Sequence, residues 1–139
     1  MASAPGSNEE KNEQLVRDFF ATLSTGHLEN IRKTLHPDAA WIPMVKSVPG
    51  AGVHTPRDVI VDKFLAPVRG IFEDGDPKTI VDNIFCKGNM VCAETHGVGK
   101  MRNGKTYHNQ YCWVIEIKDG MVHTIREYMD SHYVMGLVS

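Results

Sequence analysis

The sequence predicts an α+β domain in which three N-terminal helices pack on a curved, mostly antiparallel sheet and leave an open-ended cone. Three observations carry this. Apolar residues in the first third recur at helical spacing, as in Leu15, Val16, Phe19, Phe20 and Leu23. From residue 79 onward, strand-length runs are joined by turn chemistry at Lys87-Gly88-Asn89, Arg102-Asn103-Gly104 and Asp119-Gly120. Between Tyr107 and Ile117 the pattern alternates strictly, with Tyr107, Asn109, Tyr111, Trp113, Ile115 and Ile117 on one face and His108, Gln110, Cys112, Val114 and Glu116 on the other. Helices followed by a run of antiparallel strands is the α+β order.

Residues 1–6 read as a small-residue leader and residues 7–139 as one domain. Ser7 with Glu10 forms a capping box for the first helix, and Gly26 sits where a C′ glycine ends it. A second short helix carries Leu28, Ile31 and Leu35 on one face and stops at His36-Pro37, because the residue before proline avoids the helical region. Residues 38–48 read as a strand, and Pro43 confines it to an edge or a bulge. Thr55, Pro56 and Asp58 give an approximate capping box with proline at N1 for a third helix. Its buried stripe is Ile60, Phe64, Val68 and Ile71, and Pro67 should kink or shorten it. Strands are expected at 79–86, 90–100, 106–117 and 121–130.

The bulk properties exclude several classes. With 139 residues, 42% of them apolar, the chain can bury a genuine core. A net charge of −2 gives no electrostatic reason to expect nucleic acid or an anionic membrane as partner. The opening residues are polar and acidic, unlike a secretory or transit segment. Three cysteines without a CxxC pattern read as small packing residues in a reducing, cytoplasmic setting. The histidines have no metal-ligand spacing, so neither metal nor other cofactor is expected.

The chemistry-bearing candidates lie mostly on the last strands. Glu127 shares parity with Ile125 and should face inward, where desolvation raises a carboxyl pKa toward the range useful for proton transfer. Glu94 and His96 share one face of their strand. They form an acid/base pair beside Glu127 if that face is the inner one, and a solvated pair if the smaller face of Val91, Ala93, Thr95 and Gly97 packs inward instead. Asn109 and Tyr111 would orient or polarise a substrate carbonyl from the inner face. Trp41, Trp113 and Phe64 are candidate wall residues. His54 stands at the pocket mouth or in solvent, and Asp130 caps the turn after the last strand.

The layout helix–helix–strand–helix followed by four long strands resembles the nuclear-transport-factor-2-like, or ketosteroid-isomerase-like, fold. The ending Gly104, Tyr107-x-Asn109-x-Tyr111, Asp119-Gly120 and Ile125-Arg126-Glu127-Tyr128-Met129-Asp130 is similar to the SnoaL-like, polyketide-cyclase-type branch. In that branch an acidic residue on the last strand is the general acid/base, and its position matches Glu127. The inward histidine of the preceding strand aligns with Trp113. The steroid-isomerase aspartate falls on Pro43, and the oxyanion-hole tyrosine falls near Phe19 and Phe20. Of the limonene-epoxide-hydrolase set, the Tyr and Asn fall near Trp41 and Pro43, the first Asp and the Arg near His96 and Glu94, and the last Asp on Glu127.

The resemblance therefore implies a cofactor-free acid/base enzyme acting on a small, largely apolar carbonyl- or hydroxyl-bearing compound by isomerisation, cyclisation or dehydration. The alternatives are a non-catalytic ligand-binding or assembly module and an epoxide hydrolase with a rearranged site. It also implies a homodimer formed through the outer face of the sheet.

Overall fold

The computed structural model describes residues 8–138, so the expected leader and the Ser7 capping residue lie outside the described part. Helix α1 (Asn8–Leu23) buries Val16, Phe19, Phe20 and Leu23 along the face its spacing specifies. It ends at Leu23, and a turn over residues 24–26 carries the expected glycine later than the C′ position: Gly26 has a φ of +74°, the left-handed conformation that glycine adopts without steric cost. Helix α2 (Leu28–Thr34) stops one residue short of expectation. Leu35 is already extended and opens strand β1 (Leu35–Pro43), so it is buried as a strand residue rather than on the helix face.

Strand β1 ends at Pro43 rather than running on to Val48. It is an edge strand, as the proline requires, and its free side takes only a bridge in which Trp41 and His54 exchange backbone hydrogen bonds of 2.9 Å.

The third helical segment departs from the expected capping box. Pro56 is the N-cap, and the Thr55 hydroxyl donates to the Ala39 carbonyl at 2.9 Å, leaving no side-chain cap. The segment runs as α3 (Arg57–Val59), a π-helical stretch (Ile60–Leu65) and α4 (Ala66–Arg69). Within it the Ala66 N–H reaches back five residues to the Val61 carbonyl. Pro67 has no N–H to donate and its ring crowds the preceding turn. A locally widened helix absorbs both effects and changes the buried stripe: Ile60 and Phe64 are buried as expected, Val61 and Leu65 join them, Val68 is half-buried and Ile71 is exposed.

Strands β2 (Lys78–Lys87), β3 (Met90–Lys100), β4 (Thr106–Lys118) and β5 (Met121–Met129) follow the expected turns. Asp119 and Gly120 both have positive φ, 54° and 71°, the two-residue hairpin geometry suited to a twisted sheet. The sheet order is β1-β5-β4-β3-β2, antiparallel except for β1 beside β5. One element was not anticipated, helix α5 (Ser131–Val138).

The core lies between the helices and the concave face. Phe20 meets Trp113 edge-on at 5.2 Å, and Trp41 contacts Phe64 at 5.5 Å and Trp113 at 5.7 Å. Aromatic side chains from β4 sweep across β3, and the Trp113 indole N–H donates to the Thr95 hydroxyl at 2.9 Å. Val91, Ala93, Thr95 and Gly97 therefore face inward, because only small residues leave room for those rings.

Candidate functional site

The open end of the cone holds a cavity of about 160 Å³. Its walls come from β1, the 45–49 loop, the π-helical stretch and α4, β3, β4, β5 and α5. Glu127 stands in this wall, inward on β5 as its parity requires and nearly fully buried. Among the described residues no cation pairs with it. Its carboxyl accepts one hydrogen bond, from the Trp41 indole N–H to Oε1 at 3.0 Å. Burial pushes its pKa up to about 7, with the Trp41 bond opposing the shift.

Beside Glu127 lies a chain of hydrogen bonds on β4. The Asn109 side-chain oxygen accepts from the Gln110 backbone N–H at 2.9 Å, which fixes the orientation of the amide. Its Nδ2 then donates to the Asp130 carbonyl at 3.3 Å and to the Tyr107 hydroxyl at 3.1 Å. The hydroxyls of Tyr107 and Tyr111 touch each other. Tyr107 Oη accepts from Asn109, and either hydroxyl can donate to the other; with Tyr107 as donor, the Tyr111 proton is turned to the cavity. Burial raises the pKa of both tyrosines, so both remain donors at neutral pH. Tyr111 is opposite Met129 and Glu127 opposite Trp113, so Tyr111 and Glu127 are diagonal neighbours on one face.

Gly97 makes room for the pair. A Cβ there would sit 3.2 Å from the Tyr111 ring and 3.5 Å from the Tyr107 ring. Trp41, Trp113, Phe64 and Tyr111 all line the cavity, as expected.

Four expected site residues do not. Glu94 is exposed and accepts from the Asn83 amide at 3.3 Å, while His96 contacts Asp82 at 2.8 Å; both are on the outer face. The small residues of β3 are the packed ones, and parity sends Glu94 and His96 away from Glu127. His54 stacks on Phe64 at 4.2 Å, behind the wall, with Nε2 against the Gly50 carbonyl at 2.6 Å. Asn109 braces Tyr107 without lining the cavity itself.

The residues missed from sequence are Tyr107, Gly97, Arg69 and the inner face of α5. Val134, Leu137 and Val138 close the cavity from α5. That helix is held by Asp130, whose Oδ1 accepts from the Tyr133 N–H at 3.1 Å, and by Lys105, which donates to the Leu137 carbonyl at 3.3 Å. A capping residue followed by apolar residues at helical spacing was the available signal. Arg69 shares a helical face with Leu65, Val68 and Phe72, a cation within an otherwise apolar stripe. Among the described residues no group of three or more His, Cys, Asp or Glu is placed to hold a metal, and no helix is long and apolar enough to cross a membrane.

The model of the SnoaL-like domain matches residues 16–125. Similar solved structures include a SnoaL-like polyketide cyclase, described as putative, from Jannaschia sp. CCS1, at TM-score 0.82 and 18% identity over 100% of this chain and 97% of that one. An NTF2-like protein from Burkholderia xenovorans LB400 superposes at TM-score 0.78 with 21% identity, covering 96% of this chain and 100% of its own. A limonene-epoxide-hydrolase-like epoxide hydrolase from M. tuberculosis gives 0.73 with 15% identity over 94% and 90%. No curated protein sequence matches the chain.

Proposed function

The chain belongs to the SnoaL-like domain family, and on that footing we propose that it is an acid/base enzyme that moves a proton on a small, largely apolar carbonyl compound using its own side chains. The observation that carries this reading is the Glu127 carboxyl, buried in a cavity wall, ion-paired with none of the described residues and with a pKa raised to about 7. Such a group exchanges protons readily in both directions at neutral pH. As carboxylate it removes a proton from the carbon next to the substrate carbonyl. The electron pair of the broken C–H bond moves into the carbonyl, and the developing enolate oxygen accepts a hydrogen bond from the Tyr111 hydroxyl. The Glu127 acid then returns its proton. Delivery to another carbon gives isomerisation, and delivery to a departing hydroxyl gives dehydration.

The cavity volume of about 160 Å³ suits a molecule of roughly one ring, since an engineered apolar cavity of about 150 Å³ takes up benzene. Phenylacetone in deuterated buffer is a suitable probe. The wild type should catalyse α-proton exchange, followed by NMR, and Glu127→Gln should reduce it roughly 10²- to 10⁴-fold. Exchange no faster than buffer alone would remove the enzymatic reading.

A second reading, a ligand-binding module without chemistry, is favoured by Pro43 and by Phe19 and Phe20, which stand where the steroid isomerases of this fold carry catalytic groups. Phenylacetone binding without exchange would support it.

A further inference from the structure

Resting on the reading of the cavity as a small-molecule site, we infer that its ligand carries a carboxylate that pairs with Arg69, so that the substrates are small organic acids of about one-ring size. Arg69 lines the cavity from α4. Its guanidinium is held in place, with Nη2 donating to the Pro77 carbonyl at 3.3 Å and a Cβ on Gly26 falling only 3.4 Å from Nε and Nη2. Pro77 leads into β2, three strands from Glu127 on β5, so the two groups occupy different walls of one cavity.

No carboxylate of the described residues lies within ion-pairing distance of Arg69. Asp76 favours the Arg69 charge through space only, its Oδ2 being engaged by the Lys100 N–H at 2.9 Å, and burial outweighs that help. Arg32 shows the contrast, since Glu29, Asp58 and Asp62 surround it. A guanidinium offers five donors in a planar fork that matches a carboxylate, and one of them is taken here. The other charged candidate in the wall, Glu127, is largely neutral below pH 7. Arg69 then provides the one formal charge among the lining residues, and an anionic group on the ligand compensates it.

The test is calorimetric titration at pH 6 with phenylacetate and its neutral analogue phenylacetamide. The wild type should prefer the acid roughly tenfold to a hundredfold. Arg69→Met should abolish that preference while binding phenylacetamide as the wild type does, which shows an intact cavity, and Arg69→Lys should keep part of it. Glu127→Gln should retain the preference in full, so loss of proton exchange and loss of acid selectivity separate cleanly between the two residues. A wild type that binds the two probes equally or binds neither, or an Arg69→Met variant that still prefers the acid, overturns the assignment.

Discussion

The Trp41 indole N–H donates to Oε1 of Glu127 at 3.0 Å, joining the edge strand to the one parallel neighbour it has in the sheet. This bond favours the ionised carboxylate and opposes the larger effect of burial. Trp41→Phe keeps most of the aromatic packing against Phe19, Phe64 and Trp113 while deleting the donor. The Glu127 titration midpoint should move further upward in that variant, read from the side-chain carboxyl ¹³C shift. An unchanged or lowered midpoint would show that the bond does not govern the carboxylate.

Stability should depend on pH through the same group. The folded pKa, about 7, is above the ordinary value of 4.5, so the native state holds a proton that the unfolded chain has already released between those pH values. The contribution is fully present below about pH 4.5, falls as pH rises through 7 and then levels off. Its span is about 3 kcal/mol by linkage. Urea unfolding should show wild-type stability declining from pH 5 to pH 8, with Glu127→Gln flat by comparison over that window.

The two tyrosines should differ in consequence, because Tyr111 is the diagonal neighbour of Glu127. Tyr111→Phe removes the donor facing the cavity and should lower kcat for exchange roughly 10²- to 10³-fold with little change in KM. Tyr107→Phe leaves that donor in place but deletes the group that orients it, so the loss should be smaller. Equal losses in the two variants would contradict the separate role given to Tyr111.

Glu94→Gln and His96→Gln should behave like wild type in exchange and stay within about 0.5 kcal/mol of it in stability, since both side chains are on the outer face. A hundredfold loss of activity in either variant would mean that the outer face takes part in the chemistry.

Much of the fold was legible because local rules and tertiary demands agree in it. The alternation of β4 placed Asn109, Trp113 and Ile115 inward, and the Asp119-Gly120 turn set the closing hairpin. Glu127 followed from parity alone. What parity leaves undetermined is which face of a strand is the buried one, and β3 is the example: its larger residues point outward because the rings of Tyr107, Tyr111 and Trp113 occupy the space above it. The Thr55 hydroxyl, available locally for a helix cap, is drawn instead to the Ala39 carbonyl across the sheet edge. Arg69 and α5 depend on where the chain travels after a turn, which no local pattern encodes.

The most direct measurement is the pH titration of the Glu127 side-chain carboxyl in the wild-type protein, assigned by comparison with Glu127→Gln. A midpoint near 7 is expected for a carboxyl buried without a cation and held by one indole N–H. A midpoint at the ordinary 4.5 would mean that water or a counter-charge reaches the group, and the proton-transfer role assigned to it would not stand.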